Sequence, residues 1–127
     1  MAIGRLGTVA IECRDPAALA EFYHQLTGQS VVYAEPDWYS LAGNSGEVSL
    51  SFQLSREYEP PVWPDPTSSM QFHLHVKVDD LDTAEQAVIA IGATKFDEQP
   101  NPQNFRVFAD PAGHPFCLVP AQASAAN

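Results

Sequence analysis

Basic residues are scarce in this chain: six Lys and Arg stand against 16 Asp and Glu in 127 residues, a formal net charge of −10. Binding to a phosphate backbone or an anionic bilayer needs clustered Lys and Arg. The six are scattered, so neither nucleic acid nor membrane is an expected partner. Cysteine is limited to Cys13 and Cys117, with no Cys-x-x-Cys spacing, which excludes a disulfide framework or a zinc ribbon. Both lie in apolar, strand-like runs and read first as small buried hydrophobes. No apolar run approaches the ~18 residues of a membrane span. The opening MAIGRLGTVAIE lacks the apolar core and small-residue cleavage site of a secretory leader. A reducing, cytoplasmic setting is expected, and the length suits one compact domain that needs no cross-links.

What the chain does have is alternation. In Met70–Ala93, Phe72, Leu74, Val76 and Val78 share one side of a strand and His73, His75 and Lys77 the other. Apolar residues then recur at helical spacing (Leu81, Ala84, Val88, Ile91), with Asp80 or Asp82 as the N-cap and Gly92 at the C-terminal end. Leu6–Cys13 alternates in the same way and is followed by Asp15-Pro16, a helix start, and by a helix that ends at Gly28. Asp15 to Gly28 and Asp79 to Gly92 have equal length, which marks a repeat.

After each helix come three strand candidates: SVVYAE, WYSLAG and VSLSFQL in the first half, TKFDEQ, FRVFAD and PFCLVP in the second. The expected fold is α+β, two βαβββ repeats forming curled mixed sheets around a central cavity, with the helices outside. The expected boundaries are residues 1–57 for the first unit, 58–69 for a Pro-rich linker, 70–120 for the second unit and 121–127 for a disordered tail.

Four stretches carry a family resemblance: EFYHQLTG, similar to FY-x-x-x-LG; FQL before the Pro-rich linker; HLHVKVDDLDTA; and FRVFADPAGHPFCLV, close to F-x-DP-x-GN-x-x-x-L. Together they resemble the vicinal oxygen chelate superfamily of glyoxalase I, extradiol dioxygenases and bleomycin-resistance proteins, and most nearly its glyoxalase-like branch. The resemblance implies a homodimer and a divalent-metal site built from four inward side chains, usually His and Glu from each half. Those positions fall here on Thr8, on Ser51 (or Gln53 in a register shifted by two), on His73 and on Cys117. One strong ligand of four remains, because hydroxyls and a neutral amide bind divalent ions weakly and Cys binds only as thiolate. Metal-dependent glyoxalase I chemistry is therefore not expected.

The expected site is a cup lined by Thr8, Glu12, Ser51, Gln53, His73, His75 and Cys117. Arg106 joins it if it points inward, which the alternation FRVF leaves open. Glu12 and Lys77 hold equivalent places in the two halves. Trp63, with Trp38, Tyr39, Tyr58, Phe105 and Phe108, either walls the pocket or staples the linker to a sheet. His24 is expected in solvent and His114 in a local backbone role. The expected function is binding of a small, flat organic molecule with no cofactor. The alternative is a lyase or isomerase that uses His73 as base, or a divalent metal (Zn, Ni, Mn or Fe) held by His73 and Cys117.

Overall fold

The computed structural model describes residues 1–121. Of the expected tail, Gln122–Asn127 lies outside the described residues. The chain divides into two compact units, the first ending at Tyr58 and the second beginning at Glu59. No helix among the described residues is long and apolar enough to cross a membrane.

In the first unit, β1 (Thr8–Cys13) leads to α1 (Pro16–Thr27), then β2 (Ser30–Glu35), β3 (Trp38–Ala42) and β4 (Ser49–Leu54). The sheet order is β1-β4-β3-β2, with β1 parallel to β4 and the other pairs antiparallel. The helix boundaries are set locally. The Asp15 carboxylate accepts from Ala18 N at 3.1 Å, Pro16 occupies the first turn, and Gly28 takes the left-handed conformation at φ 77. His24, expected in solvent, instead bonds through Nδ1 to the Gln29 carbonyl at 2.7 Å and ties the helix end to β2. α1 buries Leu19, Phe22 and Tyr23. Tyr23 stacks on Phe52 of β4 with ring centroids 5.6 Å apart.

In the second unit, β5 (Leu74–Val78), α2 (Leu81–Ala90), β6 (Thr94–Lys95), β7 (Arg106–Ala109) and β8 (Pro115–Pro120) repeat the plan in the order β5-β8-β7-β6. β5 is parallel to β8 and the remaining pairs are antiparallel. The fold is thus α+β, with two four-stranded mixed sheets that each carry one helix. Of the two candidate caps for α2, Asp80 serves, accepting from Thr83 N at 2.9 Å. Phe108 and Phe116 stack at 5.8 Å on the α2 side, where Leu118 and Val88 are also buried.

Two strands are shorter than their patterns suggest. Phe72, expected on the helix side of β5, is 92% exposed. A turn precedes the strand: Gln71 sits at φ 59 and its N–H bonds Ser69 Oγ at 3.0 Å, so the extended run starts only at Leu74. TKFDEQ contributes only the two residues of β6, because the Gln99 side chain takes over the ladder. Gln99 Oε1 accepts from Val107 N at 3.0 Å, and Nε2 donates to the Phe96 and Val107 carbonyls at 2.8 and 2.9 Å.

The β7–β8 turn bears out the local role of His114. Asp110, 3% exposed, accepts from Ala112 N and His114 N at 2.9 and 3.0 Å, and His114 Nδ1 reaches the same carboxylate at 2.9 Å. Gly113 has φ 92, and a Cβ there would lie 2.6 Å from Pro60 Cβ. Gly113→Ala combines a left-handed L-residue with an overpacked contact. It should destabilise the chain by about 2 kcal/mol in urea unfolding; a neutral effect would show that the turn and Pro60 do not pack as described.

Candidate functional site

The helix-free face of the second sheet gathers most of the chemistry in that unit. Residues alternate along β5, so Leu74, Val76 and Val78 face α2 while His75 and Lys77 face away. The parallel register sets His75 beside Cys117 and Lys77 beside Val119. His73, just ahead of the strand, places Nε2 3.0 Å from His75 Nε2, so one imidazole donates and the other accepts. The nearest donor atoms of His73, His75 and Cys117 all lie within 4.8 Å of one another.

An apolar patch adjoins this polar cluster. Cys117 is buried with Val107 and Val119, and Trp63, Phe96 and Phe105 pack against the three. Trp63 and Phe96 approach to 4.9 Å between ring centroids. Of the two roles expected of Trp63, its contacts match the staple, since it fastens the proline-rich segment to the second sheet.

The electrostatics favour neutral groups. Burial, and then repulsion from His75, hold His73 below the ordinary histidine pKa. Burial pushes the Cys117 thiol up to about 11, so it is protonated at neutral pH. A histidine with a lowered folded-state pKa binds fewer protons than its unfolded counterpart, so its contribution to stability is complete above the unfolded value of about 6.5 and fades as pH falls through the folded value. The His73 ring should titrate below 6.5 in NMR, and His75→Ala should move its midpoint up. A midpoint at or above 6.5 would contradict the partial desolvation of His73 beside His75.

The first sheet presents a chain of hydroxyls on its helix-free face. Trp38 Nε1 donates to Ser40 Oγ at 2.8 Å, Ser40 Oγ bonds Ser51 Oγ at 2.9 Å, and Ser51 Oγ bonds Thr8 Oγ1 at 3.1 Å. Thr8 Oγ1 also donates to the Ser49 carbonyl at 3.1 Å. Ser51, 2% exposed, is thus the hydroxyl that Thr8 meets on this face, although its strand partner is Ala10. Gln53 lies two residues on, opposite Glu12, and both are exposed.

Arg106 leaves the candidate set. Its register opposite Leu118 puts it on the α2 face of the second sheet. There the guanidinium pairs with Asp82 at 2.8 Å and Glu85 at 3.2 Å, and Nε donates to the Pro102 carbonyl at 3.0 Å. Those bonds to Asp82, ahead of the attraction of the two carboxylates, raise its pKa.

The donor set bears on metal binding. Two imidazoles and one thiol suit a thiophilic ion such as zinc and not a hard ion that wants oxygen. The thiol would have to lose its proton first, which its burial opposes. Thr8 and Ser51, two of the ligand positions implied by the resemblance, commit their hydroxyls to protein partners.

A family model for the glyoxalase-like domain matches residues 8–119. Comparison with curated proteins yields no significant match. Among solved structures, a glyoxalase/bleomycin resistance protein/dioxygenase family enzyme from Burkholderia phytofirmans PsJN is 24% identical at TM-score 0.70, covering 93% of this chain and 99% of its own. Fosfomycin resistance protein FosX from Listeria monocytogenes, complexed with Mn(II) and 1S,2S-dihydroxypropylphosphonic acid, is 14% identical at TM-score 0.72, with 96% and 95% covered. The bleomycin-binding protein of Streptomyces verticillus, complexed with copper(II)-bleomycin, is 13% identical at TM-score 0.58, with 94% and 98% covered. These likenesses are likenesses of fold; the family match over residues 8–119 shows that this chain belongs to the glyoxalase-like domain family.

Proposed function

We propose that this chain binds a small, flat organic molecule on the helix-free face of its second sheet and needs no metal to do so. The observation that carries the reading is the His73–His75 pair, one donor and one acceptor 3.0 Å apart, beside the Trp63–Phe96–Phe105 patch. Polar orientation next to apolar contact area is what a small-molecule site requires. A phenolic or enolic ligand suits it, because the imidazoles can donate to one oxygen and accept from another. Relatives of the same fold that bind bleomycin or a propylphosphonic acid support a ligand-binding role. The resemblance adds homodimerisation to the proposal, and the scarcity of cysteine adds a reducing, cytoplasmic setting.

The test is calorimetric titration with 4-nitrocatechol in the presence of EDTA. Saturable binding is expected, weakened by about tenfold or more in His73→Ala, as loss of a hydrogen bond to a desolvated ligand oxygen predicts. Binding that vanishes with EDTA, or that ignores His73→Ala, would sink the proposal. A second reading rests on the convergence of His73, His75 and Cys117 within 4.8 Å. On that reading the three hold zinc, and stoichiometric uptake would accompany proton release from the thiol.

A further inference from the structure

The first unit contains a cleft of about 470 Å³ on the α1 side of its sheet, at the C-terminal ends of β1 and β4. Its walls include Arg14, Arg56, Tyr39, Leu54, Pro16 and Pro36. The parallel register explains why two arginines meet there. Cys13 lies opposite Leu54, and Ser55 N donates to the Cys13 carbonyl at 2.8 Å. The side chains that follow, Arg14 and Arg56, therefore leave two neighbouring strand ends. Arg14 Nε donates to the Tyr58 carbonyl at 2.8 Å, which fixes the guanidinium while its two Nη groups stay available.

Among the described residues, neither arginine forms an ion pair, whereas Lys95 and Arg106 both do. In a chain with six basic and 16 acidic side chains, two adjacent unpaired guanidiniums are an unexpected concentration of positive charge. The helix end is not its source of attraction: Asp15, also on the wall, already caps α1 through Ala18 N. The remaining walls are apolar or aromatic.

We propose that this cleft is a binding site for a planar organic carboxylate, separate from the His73 face and independent of the function proposed there. The carboxylate docks end-on to the Arg14 fork, Arg56 supplies the second positive charge, and the ring lies against Tyr39, Leu54 and the two prolines. Guanidinium forks match carboxylates in geometry as well as charge, and a cleft of this size lies within the range of small-molecule sites.

The probe is 4-fluorobenzoate, followed by fluorine NMR and calorimetry, with 4-fluorobenzamide as the uncharged control. Saturable binding of the acid and none of the amide is expected, with affinity reduced by about tenfold or more in Arg56→Gln and in Arg14→Gln. The affinity should also fall as salt rises, and His73→Ala should leave it unchanged. Arg56 makes no protein hydrogen bond among those described, so its variant separates ligand loss from any disturbance of the Arg14–Tyr58 contact. Absence of saturable binding, equal binding of the amide, full affinity in Arg56→Gln, or loss of binding in His73→Ala would each overturn the assignment.

Discussion

Phe52→Ala is expected to lower the unfolding free energy by about 3–5 kcal/mol. Phe52 is fully buried in β4, which pairs with β1 on one side and β3 on the other. Its ring stacks on Tyr23 at 5.6 Å, so truncation removes both the apolar burial and the aromatic contact that seats α1 on the sheet. The neighbours are held by ladders on both sides and cannot collapse into the void, which puts the cost toward the upper end of that range. A domain of this size has roughly 5–15 kcal/mol in hand, so the loss is a large share of the total. Urea unfolding followed by circular dichroism measures it; a change below about 1 kcal/mol would mean that α1 does not rest on Phe52.

The second large effect concerns Cys117. A thiol raised from 9.0 to about 11 by burial should react with iodoacetamide about 100-fold more slowly at pH 7.5 than an unperturbed cysteine, from ionisation alone. Peptide mass spectrometry distinguishes it from Cys13, which is also buried. A thiol whose folded-state pKa is raised contributes stability that is complete below its unfolded value and is lost as pH rises through the folded one. The folded state should therefore weaken between about pH 9 and 11. Alkylation at the rate of an unperturbed cysteine would contradict the raised pKa, and a still faster rate would identify a thiolate and favour Cys117 as nucleophile or ligand.

The secondary structure was legible wherever its determinants are local. Asp15 with Pro16, Asp80, Gly28 and Gly92 mark the helix limits because caps and left-handed turns are decided within a few residues. The two faces of β5 followed from strict alternation; the bond between Thr8 and Ser51 did not, because it depends on the β1–β4 register. Legibility ended where distant partners decide. Phe72 fits the alternation, but the Gln71 turn ends the strand before reaching it. Gln99 gives no pattern at all, since its amide replaces ladder bonds eight residues away. Arg106 sits among apolar residues whose order allows either face, and only the register with β8, with Asp82 and Glu85 waiting on α2, turns it outward.

The same limit governs the two sites. His73 and His75 were legible as neighbours on one strand face, and the resemblance grouped Cys117 with them. Their convergence depends on β5 running parallel to β8 with His75 opposite Cys117. The Arg14–Arg56 cleft gives no signal in sequence, because the two residues stand 42 positions apart and meet only through the β1–β4 register.

The most direct measurement of the central claim is the histidine-ring NMR spectrum of the metal-free protein, in EDTA, as 4-nitrocatechol is added. His73 and His75 should shift together and saturably while His24 and His114, each tied to its own local partner, stay in place. Rings of His73 and His75 that do not move, or that move only after zinc replaces the chelator, would contradict a metal-free ligand site on that face.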